Sequence, residues 1–121
     1  MQNNDDLARQ YIKAAYMAVQ EVLGLSESEI KSKRKNQKMV TARCLISYLC
    51  RTELYMEYAD IGLAVNRSRV SAFYECNAFG NCLHLYEKSR QLHKKVKTKA
   101  YEYLQKIQEE EASGRHKPSH A

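Results

Sequence analysis

Turn-forming residues are nearly missing from this chain. One proline and four glycines are spread over 121 residues, and a sheet-rich fold of that length needs far more chain reversals than these supply. What remains is an all-α arrangement of long helices joined by few turns. The length suits one domain with one modest core and leaves no room for a second, catalytic one. Hydrophobic residues make up 44% of the sequence, enough to fill such a core. Nine tyrosines stand against two phenylalanines, and a tyrosine can bury its ring while its hydroxyl stays wet.

The apolar residues recur at helical spacing. Leu7, Tyr11, Ala14, Ala15, Ala18 and Val22 form a stripe that predicts a first helix, capped by Asn3 or Asn4 and ended at Gly24. Asp5 and Asp6 fall in its first turn, where the helix dipole favours acids. Ser26 and Glu29 have capping-box spacing and predict a short helix anchored by Ile30. A helix from about Gln37 to Leu54 follows, with Asn36 as its cap. Residues 57–65 predict another short helix. A further one runs through Val70, Cys76, Phe79 and Leu83, capped by Asn66 or Ser68. Two short helices across a tight polar turn, with small residues at the crossing, make a helix-turn-helix pattern. The last helix is expected from about Ser89 to Glu110, with Tyr86, Leu92, Val96, Tyr103, Leu104 and Ile107 as its apolar face. Residues 1–111 thus read as one domain, and the polar segment 112–121 as a disordered tail.

The net charge is +6, and its placement says more than its size. Residues 31–38 read KSKRKNQK, a run whose self-repulsion predicts a loop. From Lys31 to Thr52 there are seven basic residues and no acid, and residues 88–99 add six more without an acid. A surface that only keeps a protein in solution mixes the two signs. Such a basic excess suits a polyanionic partner. The four cysteines, Cys44, Cys50, Cys76 and Cys82, form no C-x-x-C pair. They read as buried thiols of a reducing cytoplasm, not as a disulfide framework or a zinc site. A metal site of Cys76, Cys82 and His84 lacks zinc spacing. No cofactor is implied. No apolar run reaches the ~20 residues needed to span a bilayer.

One set of motifs carries more specific information. Ser32-Lys33-Arg34-Lys35-Asn36, Thr41-Ala42-Arg43, Tyr48-Leu49, Asp60-Ile61-Gly62 and Val65-Asn66-Arg67 follow one another in the order of the C-terminal domain of the bacterial replication initiator DnaA. The chain resembles that family without a gap from Ser32 to Arg67, and more loosely over residues 10–105. The resemblance implies a Trp-repressor-like helical bundle. It also implies a basic loop that grips phosphates and reaches the minor groove, and a helix-turn-helix whose second helix enters the major groove. Lys35 takes the place of the family's minor-groove arginine. Arg43 takes that of the arginine in its Ala-Arg-Gln segment, and Arg67 that of the arginine ahead of its base-reading Asp-His pair. Here that pair is replaced by Ser68-Arg69, so the expected target differs from the initiator's own site. The family's ATPase domain has no counterpart, because no phosphate-binding Gly-rich loop occurs in these residues.

The expected function is sequence-specific binding of double-stranded DNA by a cytoplasmic protein. Lys33, Arg34, Lys35, Lys38 and Arg43 are the expected phosphate contacts, with Arg67 as a backbone-positioning residue. Ser68 and Arg69 lie in the first turn of the recognition helix, where base contacts are made, and Ser71, one turn along, suits a phosphate or a base. Other readings stand beside these. Arg43 suits an ion pair with Glu53 or another acid, Ser68 a cap alone, and Arg69 a solvated position. Val70, Phe73, Tyr74 and Tyr86 read as packing residues, and His84 and His93 carry no assigned role. The alternative function is a protein-interaction or replication-accessory module that keeps the fold without reading bases. In it, the tyrosine- and leucine-bearing face of the last helix would pair with a second copy or a partner. An enzyme is not indicated, since no nucleophile motif, acid–histidine set or metal spacing is present. Membrane binding is not indicated either, since the basic loop does not lie opposite an apolar helix face.

Overall fold

The structure is a computed structural model that describes residues 4–116. Every regular element among them is a helix: α1 (Asn4–Leu23), α2 (Glu27–Lys31), α3 (Gln37–Leu54), α4 (Tyr58–Val65), α5 (Arg69–Leu85) and α6 (Glu87–His116). Asn3, one of the two expected caps of α1, lies outside the described residues. The helix starts and stops follow local chemistry. Gly24 leaves α1 at φ +72°, a left-handed conformation open to glycine at no steric cost. The α2 capping box forms as expected: Glu29 N–H donates to Ser26 Oγ at 3.2 Å and Ser26 N–H to Glu29 Oε1 at 2.9 Å. Asn36 Oδ1 accepts from the amides of Lys38 and Met39 to open α3.

The core is built around α3, which packs on α1, α2, α4 and α5. Its Leu45, Ile46, Leu49 and Cys50 are fully buried, together with Ile30 from α2 and Ile61 and Val65 from α4. Each buried aliphatic side chain of this kind is worth about 1.5–3 kcal/mol. Helix α6 runs antiparallel along α1. Arg9 holds Glu111 through two bonds of 3.0 and 3.1 Å, and farther along the seam Tyr103 Oη donates to Glu21.

Helix α6 departs from expectation at both ends. It begins at Glu87 and continues to His116, five residues into the segment read as a tail; residues 117–121 lie outside the described residues. Tyr86 belongs to the α5–α6 junction and is exposed, so it is not part of the apolar face. That face, Val96, Ala100, Leu104 and Ile107, is buried inside the domain, where α6 meets α1. It is therefore not a free surface for a second copy. No helix among the described residues is long and apolar enough to cross a membrane.

Candidate nucleic-acid interface

The last carbonyls of a helix have no intrahelical donor. At the end of α2 those carbonyls are taken up by side chains from α3 and from the turn between α4 and α5. Arg43 Nε donates to Ile30 O at 3.0 Å and its Nη2 to Ser32 O at 3.2 Å. Arg67 Nη2 also reaches Ser32 O, at 2.7 Å, and Asn66 Nδ2 reaches Lys31 O at 3.0 Å. The segment that follows, residues 32–36, is thus tied at its start to α3 and to the α4–α5 turn, and at its end by the Asn36 cap. Pinned at both ends, it displays Lys33, Arg34 and Lys35 to solvent, with Lys38 exposed on the first turn of α3.

This geometry corrects the reading of Arg43 as a phosphate contact. Arg43 is 3% exposed, and its guanidinium holds the base of the loop. Burial, then the nearby Arg67 charge, lower its pKa. The acid that faces it is Glu75 of α5, not Glu53. Glu75 accepts from Ser47 Oγ at 2.9 Å. Burial raises its pKa, against the opposing pull of Ser47, Arg43 and Arg67. Glu53 instead accepts from Tyr101 Oη and pairs with Lys97. Replacing Arg43 with methionine keeps the bulk and removes the donors. It should cost about 1.5–3 kcal/mol of stability, the range for hydrogen bonds to a charged group. Chemical denaturation would measure the loss, and a variant as stable as the parent would count against the brace.

The helix-turn-helix is equally determined by local chemistry. Asn66 ends α4 at φ +60°, in a left-handed cap position that asparagine tolerates better than most residues. The amide of Arg67 returns to Gly62 O at 2.7 Å. Gly62 allows the turn to lie directly on α4, because a Cβ there would meet Arg67 O at 2.5 Å. Ser68 opens α5: its Oγ accepts from Ser71 N–H and donates to Ser71 Oγ, both at 3.1 Å. The Ser71 hydroxyl proton is left to donate outward. Ser68 therefore caps, as one reading expected.

A single groove joins these parts. It is lined by Lys33 and Lys35 of the loop and Val40 and Arg43 of α3, together with Gly62, Leu63, Asn66, Arg67, Ser68 and Ser71 of α4, the turn and α5. Its charged residues are all basic. Arg69, next to Ser68, is exposed on the first turn of α5. Arg34 and Lys38 are exposed outside the groove lining. The profile of the bacterial DnaA helix-turn-helix family matches residues 12–78, more than half of the chain. The chain belongs to that family. No curated protein and no solved structure matches it. A DnaA-type helix-turn-helix is a DNA-binding module, and α6 lies wholly outside its matched region.

Against this DnaA-type frame, four packing assignments need correction. Val70 is 56% exposed, Phe73 44%, Tyr74 66% and Tyr86 56%. The inward stripe of α5 is Ala72, Cys76 and Phe79, and Val70 and Tyr74 are turned away from it. That stripe was the signal available in the sequence: three residues at i, i+4 and i+7 already fill one face. Phe73 rests edge-on against Tyr58 of α4 at 5.3 Å.

The thiols also differ in part. Cys50 and Cys76 are buried, whereas Cys44 and Cys82 are half-buried; all four are free. Burial pushes Cys44 and Cys50 up to about 12 and Cys76 to about 11, so these three are protonated and unreactive at neutral pH. Among the described residues no three histidine, cysteine or acidic side chains converge on a metal position. His93 packs against Tyr48 and Phe79.

Proposed function

We propose that this domain is a sequence-specific binder of double-stranded DNA with a target unlike the initiator's own site. Lys33, Arg34, Lys35 and Lys38 neutralise backbone phosphates, which supplies affinity without base information. The start of α5 enters the major groove. There Arg69 donates to guanine O6 and N7, and Val70 meets a thymine methyl. Ser71 donates to a phosphate or base edge, and the free amides at the α5 N-terminus favour a phosphate. Arg43 and Arg67 act as positioning residues that keep loop and helix in register. The observation that carries this reading is the shared groove, which Lys33 and Lys35 line together with Ser68 and Ser71. A duplex seated there touches the loop and the first turn of α5 together. A cytoplasmic location accords with the free thiols.

Selection of bound sites from a random duplex pool, at stated salt, tests the proposal. The wild-type domain should enrich one motif containing a guanine. Arg69→Ala should lose about 1–3 kcal/mol of discrimination at that base while overall affinity falls less. Enrichment of no motif would leave a non-specific binder, and an Arg69→Ala motif identical to the wild type would remove Arg69 from the base contact.

A further inference from the structure

Outside the DnaA-matched region, the first half of α6 carries a second basic surface. From Lys88 to Tyr101 the helix contains no acid. Its cations divide into two sets by what they touch. Arg90 pairs with Glu87 and donates to the Leu83 carbonyl at the end of α5, Lys97 pairs with Glu53, and Lys99 pairs with Glu21 and Glu102. These three hold the fold. Lys88, Lys94 and Lys95 are exposed and take no acidic partner among the described residues. Exposed Gln91 and Thr98 lie beside Lys94 and Lys95 and line the same shallow depression, interleaving amide and hydroxyl donors with the ammonium groups. Positions 88, 91, 95 and 98 follow one another at helical three- and four-residue steps, so they form one stripe.

We propose that this stripe is a second phosphate-backbone contact surface, engaging duplex DNA beyond the site read by α5. The inference rests on the DNA-binding reading above. The chemistry favours phosphates over a membrane, because the segment's own apolar residues, Leu92 and Val96, are half-buried and buried. An interfacial helix needs such residues on its outer face. It also favours backbone over base reading. Lysine ammonium groups act as mobile point charges suited to a diffuse polyanion, and the one arginine of the segment, Arg90, is occupied by Glu87 and the Leu83 carbonyl, so the cations without an acidic partner are all lysines. Its contribution is therefore to affinity and salt dependence, not to sequence choice.

The test combines Lys88→Gln, Lys94→Gln and Lys95→Gln in the full chain. Binding to a 40-base-pair duplex carrying the selected site, and to an unrelated duplex of equal length, is measured across a salt series. Each lost phosphate contact should take about 0.9 from the slope of log affinity against log salt, so the variant should lose about 2–3. Affinity near 0.1 M salt should fall by about two orders of magnitude, equally on both duplexes, with an unchanged melting temperature. If the triple variant matches the wild type in slope and affinity while the wild type binds through its loop, the α6 surface alone is overturned. If it weakens only the selected duplex, the stripe reads bases and the backbone assignment is wrong. If the wild type binds neither duplex, the helix-turn-helix reading falls and this inference falls with it.

Discussion

Replacing Gly62 with alanine should destabilise the domain by about 2 kcal/mol or more, the balance of two opposed effects. In a helix interior alanine is favoured over glycine by about 1 kcal/mol, and α4 would gain that. The new Cβ, however, would lie 2.5 Å from Arg67 O and 3.0 Å from Ser68 O. Both are backbone atoms of the turn, and the turn is held by the Arg67 amide on Gly62 O and by the Arg67 and Asn66 side chains on the α2 carbonyls. Nothing at the end of a flexible side chain can move aside. Overpacking of this kind costs about 1–3 kcal/mol and occasionally more, and rigid backbone on the far side points to the upper end. Gly80 is the control. A Cβ there would meet only the Tyr48 ring, at 3.4 Å, so Gly80→Ala should be neutral or stabilising by up to about 1 kcal/mol. Urea denaturation of both variants separates the cases. Equal stability of the two would mean that the α4–α5 turn yields without cost.

Charge reversal of Lys33, Arg34 and Lys35 to glutamate should reduce DNA affinity by about two to three orders of magnitude at low salt and flatten its salt dependence by about 2–3 in slope. The three side chains are exposed and make no hydrogen bond or ion pair with the rest of the protein among the described contacts. The loop's path is set by Ser32, Arg43, Arg67 and the Asn36 cap, none of which is changed. Melting temperature and helix content should therefore stay close to those of the parent, and the loss belongs to binding. Unchanged affinity would remove the loop from the interface. The comparison with Arg43→Met is informative. That variant keeps every exposed charge and loosens only the base of the loop, so it should lose stability first and affinity second.

The helix boundaries were legible because they depend on neighbours in sequence. The Ser26–Glu29 box, the Asn36 cap and the Gly24 stop each act over three or four residues, and all three formed where the residues place them. The basic loop and the helix-turn-helix were legible for the same reason, and the family match over residues 12–78 accords with them. The far end of α6 was not. Polar residues 112–116 continue the helix, whereas composition alone assigned them to a tail. Val70 and Tyr74 are exposed although their hydrophobicity predicts packing, because hydrophobicity does not by itself specify burial. An apolar residue goes inside only if its helix face has a neighbour, and the outer face of α5 has none.

Local chemistry written in the chain determined six helices, their caps, and a cationic loop set between two of them. Only the tertiary structure decided which of the cations face outward. Arg43 and Lys35 carry the same charge eight positions apart, yet the guanidinium of one is buried on the carbonyls that end α2 and the ammonium of the other stands exposed to solvent. The reason is that side-chain charge is a property of the residue. Access to a phosphate depends on which unsatisfied backbone groups the packing of distant helices brings within reach.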